Sequence, residues 1–89
     1  MAYPMDGFVI DNLGDKRWYK NGLSHREDRP AIEFSNGDKA WYLEGKRHRV
    51  DGPAIEWANG TKEWYYRGEE FKVKSQEEFA KHIKLLAFI

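Results

Sequence analysis

Residues 37–60 read GDKAWYLEGKRHRVDGPAIEWANG, one complete copy of a unit that the chain uses more than once. Its Trp41-Tyr42 pair recurs as Trp18-Tyr19 upstream and Trp64-Tyr65 downstream, a spacing of 23 residues each way. Gly22, Gly45 and Gly68 keep the same step, as do His25 and His48, Pro30 and Pro53, Ile32 and Ile55, and Glu33 and Glu56. Asn36-Gly37 and Asn59-Gly60 close the set. A fixed period of this length marks a repeat architecture, in which each unit must stack on a neighbour to bury its apolar side.

A chain of 89 residues makes one domain, near the lower limit for a self-sufficient core. With 16% of the residues aromatic, that core rests on a few large rings, each of which buries far more surface than a Val. There is no Cys, so no disulfide or thiolate site forms, and a reducing cytoplasm is the natural compartment. The 15 basic and 15 acidic side chains cancel, which argues against a polyanion mimic and against a general attraction to nucleic acid or acidic membrane. The opening residues 1–6 show neither a basic n-region nor a long apolar run, so they do not read as a signal peptide. No stretch approaches the length of a membrane span.

Along the chain, residues 8–22, 31–45 and 54–68 each predict a hairpin. In the second, the β-prone run at residues 31–35 meets Asn36-Gly37 and returns through Trp41-Tyr42; Asn-Gly between such runs is the strongest local hairpin signal. A two-residue turn there sets Phe34 opposite Lys39 and Ile32 opposite Trp41. The third hairpin follows suit, with Ile55, Trp57 and Trp64 on one face and Glu56, Glu63 and Tyr65 on the other. The expected core is therefore a Val9/Ile32/Ile55 row and a Trp18/Trp41/Trp64 row on a common face, with Tyr19, Tyr42 and Tyr65 half-exposed behind it. In the first hairpin Leu13 stands where Asn36 and Asn59 stand, and a longer or bulged loop is expected because Leu tolerates positive φ poorly. Each Trp-Tyr strand ends at a turn glycine, and irregular connectors then run to Pro30 and Pro53. After Gly68 the pattern breaks. Ser75-Gln76-Glu77-Glu78 is a capping box, and Phe79, Ile83 and Leu86 recur at helical spacing, so residues 76–86 predict a helix over the open end of the sheet. The fold class is mainly β, α+β overall: one antiparallel sheet of three successive hairpin repeats with a C-terminal capping helix. The apolar tail, residues 87–89, either tucks under or makes a contact.

The run W-Y-x-x-G-x-x-H-R-x-D-G-P-A-I-E, Trp41 to Glu56, resembles the variant MORN-type (membrane occupation and recognition nexus) repeat of bacterial and phage proteins. The resemblance covers about residues 8–71. It implies β-hairpins laid side by side in one antiparallel sheet, and, for short phage versions, a role as inhibitor of a host protein or defence complex in the host cytoplasm. The Tyr-x-Gly-x-Trp opening of the eukaryotic form is absent here, and no membrane partner is expected.

Three constellations bear on function. The duplicated His-Arg-x-Asp connector sets His25 near Asp28 and His48 near Asp51 in sequence, types suited to acid–base work, with Arg26 or Arg49 beside them. A structural reading is more economical: catalytic residues are rarely copied once per repeat, Asp suits the turn before Pro, and no nucleophile or phosphate-cradling loop accompanies the set. His25, His48 and His82 lack ligand-like spacing, so neither a metal nor a cofactor is expected. Tyr19, Tyr42 and Tyr65, with Arg47, Arg49 and Arg67, form the expected partner surface, since Tyr and Arg dominate protein interfaces. The leading expectation is a non-enzymatic protein-interaction module. A single-stranded nucleic-acid binder using the same Tyr/Arg face, and an enzyme built on His48 and Asp51, are the alternatives. An open sheet edge at Phe8 also allows two copies to pair as a homodimer.

Overall fold

The computed structural model describes residues 6–87, with side chains through residue 86. The opening segment and the end of the apolar tail, on which the signal-peptide and tail expectations fell, lie outside the described residues. The described residues form ten strands and one helix: β1 (Gly7–Ile10), β2 (Lys16–Lys20), β3 (Leu23–Ser24), β4 (Ile32–Glu33), β5 (Lys39–Ala40), β6 (Tyr42–Leu43), β7 (Lys46–Arg47), β8 (Ile55–Glu56), β9 (Lys62–Tyr66), β10 (Glu69–Phe71) and α1 (Gln76–Ala87). The main sheet runs β1-β2-β4-β5-β8-β9-β10 with every pair antiparallel, β3 pairs with β2, and β6–β7 is a separate hairpin. The resulting slab measures 42 × 30 × 17 Å, thin enough for one sheet with side chains on both faces. Three hairpins in one antiparallel sheet, with a C-terminal helix, are what the sequence predicts.

The register departs from that expectation by one residue. Ile32 faces Ala40 and Glu33 faces Lys39, while the Phe34 N–H bonds to the Asp38 carbonyl, leaving a three-residue loop at residues 35–37. The Gly37 N–H bonds back to the Phe34 carbonyl, and Gly37 has φ +99°, the geometry of a tight turn closed by a glycine bulge. Its equivalents at residues 58–60 and 12–14 make the same loop. The first loop is bulged, as expected, but so are the other two: Gly14 alone takes positive φ there, and Leu13 does not set this loop apart.

Because strand side chains alternate, a one-residue slip moves whole rows to the other face. Ile32, Ala40 and Ile55 lie opposite one another across the sheet, and Glu63 faces Ile55. One step along that register, Trp41 takes its place beside Ala54, whose carbonyl accepts the Trp41 N–H at 2.7 Å, and Trp18 likewise sits beside Ala31. The Ile and Trp rows therefore occupy opposite faces, which corrects the common-face expectation. Tyr65 shares the Ile face and is buried, whereas Tyr19 and Tyr42 are half-buried. The second face alternates large and small, Trp18, Ala31, Trp41, Ala54, Trp64, and both alanines are fully buried between the indoles. Trp18, at the first end of the row against Phe8, is only half-buried; their ring centroids lie 4.7 Å apart.

Two-residue turns do occur, one step later in each repeat. Asn21-Gly22, Glu44-Gly45 and Arg67-Gly68 join Lys20 to Leu23, Leu43 to Lys46 and Tyr66 to Glu69, with positive φ at both turn residues. The segments read as irregular connectors thus begin with short strands. The C-terminal helix starts where predicted, the Glu78 N–H donating to Ser75 Oγ at 3.2 Å. Phe79 is fully buried with its edge against Phe71, their centroids 5.6 Å apart, while Ile83 is half-buried. Leu86, expected on the buried stripe, stays exposed with Leu85.

Candidate functional site

Each connector is held by interactions that recur from repeat to repeat. The Arg49 guanidinium lies 3.8 Å from the Trp41 ring centroid, and Arg26 lies 3.7 Å from that of Trp18. Arg49 Nη1 also donates to the Pro53 carbonyl at 3.1 Å and to Glu56 at 3.0 Å; Arg26 makes the same two contacts with Pro30 and Glu33. The repeat period in Trp, Arg, Pro and Glu is thus one cluster: a cation laid over an indole and anchored at its far end. In the third repeat Lys72 replaces the arginine, and α1 covers Trp64 instead. Gln76 Oε1 accepts the Trp64 indole N–H at 2.8 Å, while Gln76 Nε2 donates to the Val50 carbonyl.

The histidines join one repeat to the next. His25 Nδ1 accepts the Glu44 N–H and His48 Nδ1 accepts the Arg67 N–H, each at 2.9 Å. Glu44 and Arg67 are the non-glycine residues forced to φ +50° and +51°, so each histidine secures the amide of a strained turn. In the first repeat Asp6 serves the Asn21 amide in the same way. An accepting Nδ1 leaves the proton of a neutral ring on Nε2. Burial, with Arg67 adding repulsion, holds the His48 pKa below the ordinary imidazole range. Asp51 accepts from Arg49 Nε at 3.1 Å, and His25 Nε2 lies 3.4 Å from Glu27. The connectors therefore do not bring His48 and Asp51 together as an acid–base pair; both are engaged elsewhere. Among the described residues no three His, Asp or Glu side chains converge as metal donors.

The predicted Tyr/Arg surface is partly occupied by its own members. Arg47 Nε donates to Tyr42 Oη at 3.2 Å and its Nη1 to Tyr65 Oη at 3.3 Å, with the guanidinium 5.2 Å from the Tyr65 ring centroid. These tyrosine contacts hold the Arg47 pKa above its usual value, while burial pushes the Tyr65 hydroxyl up. Arg49 lies over Trp41. Arg67 sits at the turn, its guanidinium 5.4 Å from the Tyr66 ring centroid.

Sequence reading missed the concavity alongside. An open groove of about 680 Å³ crosses the repeats where the turns meet the connectors. Equivalent positions line it in successive repeats: Lys20, Leu43 and Tyr66 from the strand ends, and His25 and His48 from the connectors. Val50 completes an apolar stretch with Leu43, and it is exposed. The signal was present in the repeat alignment, because positions 20, 43 and 66 vary where the structural positions do not. Fold and groove define a small sheet of β-hairpin repeats with a repeat-built concave face and a helical cap. No family model matches the chain, and no curated protein or solved structure matches it. No helix among the described residues is long and apolar enough to cross a membrane.

Proposed function

We propose that the chain is a small non-enzymatic protein-interaction module that grips its partner in the groove between turns and connectors. The observation that carries this reading is the groove itself: within the size range of binding clefts, it sets exposed Val50 and half-buried Leu43 among charged side chains. The Tyr42–Arg47–Tyr65 cluster borders the strand ends that supply it and stiffens them. Resemblance to variant MORN-type repeats suggests the setting, a phage-encoded inhibitor of a host protein or defence complex acting in the host cytoplasm.

A tagged pull-down from bacterial lysate tests it, run with and without nuclease and repeated with Val50→Asp. Val50 is exposed, so this variant keeps its melting temperature. The expected result is one protein recovered in near-equal amount with the wild type and lost with the variant. Equal recovery by both rules the groove out as the binding surface. Material that disappears with nuclease favours a nucleic-acid ligand on the Tyr/Arg face instead.

A further inference from the structure

The groove is charged oppositely at its two ends, and this polarity selects what fits. At the turn end Lys20, Lys46 and Arg67 meet Glu44, and the second carboxylate lining the groove, Glu27, belongs to the connector. Among the described residues none of those three cations is within ion-pair distance of an acid. At the connector end the groove continues into a smaller hollow of about 200 Å³, where Glu27, Asp28 and Asp51 meet one guanidinium, that of Arg49. Glu27, Leu43, His48 and Val50 line both hollows, with Leu43, His48 and Val50 forming the middle. With His48 Nδ1 occupied by the Arg67 amide, the neutral ring carries its proton on Nε2 and adds no charge to the middle of the groove.

We infer that the groove takes a peptide segment of bipolar chemistry, resting on the reading of this groove as the protein-binding surface. A carboxylate side chain sits at the Lys46–Arg67 end, an apolar side chain lies over Leu43 and Val50, and a basic side chain sits at the Glu27–Asp28 end. The apolar contact supplies affinity. The two charge clusters fix the direction of the segment and reject its reverse, because like charges set against each other repel. A net charge of zero for the whole chain hides this arrangement, since the two ends cancel.

Random peptides of about a dozen residues, displayed on phage and selected on the immobilised full-length protein, provide the probe. Enriched sequences are expected to share the order acidic, apolar, basic. Labelled copies should lose about tenfold or more in affinity to Lys46→Glu/Arg67→Glu, and should regain it when their acidic residue is changed to Lys. Asp28→Lys should act the same way on the basic residue, and rising salt should weaken all of these differences. Enriched peptides that lack the charge order, lose binding to Val50→Asp and ignore the charge reversals overturn the bipolar inference but leave the groove as the binding surface. Peptides indifferent to Val50→Asp as well, or no enrichment at all, overturn both.

Discussion

Trp41→Ala and Trp57→Ala form a pair of variants that separates the observed register from the two-residue alternative. Trp41 is 8% exposed, wedged between Ala31 and Ala54 and roofed by Arg49, whereas Trp57 is 40% exposed and ties its indole N–H to Glu63 at 2.7 Å. A buried Trp removes about 150–250 Å² from water. At about 25 cal/mol per Å² that is about 4–6 kcal/mol as an upper bound, close to the usual cost of about 3–5 kcal/mol for truncating a core aromatic. Trp57→Ala should cost about 1 kcal/mol, one exposed hydrogen bond and partial burial. A domain of this size is stable by about 4–13 kcal/mol, so Trp41→Ala removes a large share. Urea titration followed by far-UV circular dichroism reads both variants without relying on Trp fluorescence. A loss at Trp57 equal to or greater than that at Trp41 would refute the face assignment, because the two-residue register puts Trp57 in the core.

Other substitutions test the remaining contacts. Leu13→Asn should leave stability within about 0.5 kcal/mol, because that loop position does not take positive φ, whereas Gly60→Ala should cost about 1 kcal/mol or more from backbone strain alone, nothing lying within 4 Å of the added carbon; thermal melts of both check this. Glu44→Asn should stabilise by up to about 1 kcal/mol, since Asn accepts the left-handed turn better and the amide held by His25 is retained. Ala54→Leu should destabilise by about 1–3 kcal/mol by overfilling the space between Trp41 and Trp64, visible as a lower urea midpoint. His48 binds its proton less readily folded than unfolded, so stability should fall as the pH drops below about 6.5 and level off once the folded ring also protonates. His48→Gln should flatten that limb of a urea-midpoint series; an unchanged slope would show that other groups set it.

The repeat, its three main hairpins, the turn glycines and the helix start at Ser75 were all legible in the sequence, because each is set by local chemistry. The faces were not. Asn36-Gly37 suits both a two-residue turn and a three-residue loop with a bulge, and the choice shifts every side chain beyond it. Leu13 held the answer: a Leu that fits the middle of the loop in one repeat shows that the middle position needs no positive φ in any. The true two-residue turns were disguised by Glu44 and Arg67, residues that seldom adopt that conformation and do so here with a histidine holding the amide. Of the predicted surface, the residue types were legible but their pairing was not, since Arg47 reaches the tyrosines of two repeats. The groove arises only when repeats lie side by side.

The links between repeats have a direction. Asp15 accepts the Ser35 N–H and Asp38 accepts the Ala58 N–H, just as His25 and His48 reach forward to Glu44 and Arg67. In the last repeat the forward-reaching positions hold Thr61 and Phe71 instead. Thr61 has no later loop to serve, and Phe71 packs on the helix. The last repeat is thus written as a terminator, while the middle repeat carries both a forward and a backward connection. Length in this architecture is consequently a variable set by tandem duplication of the middle unit. An added copy meets compatible partners on each side and lengthens the groove by one repeat, whereas duplicating the last unit leaves a junction without its forward links.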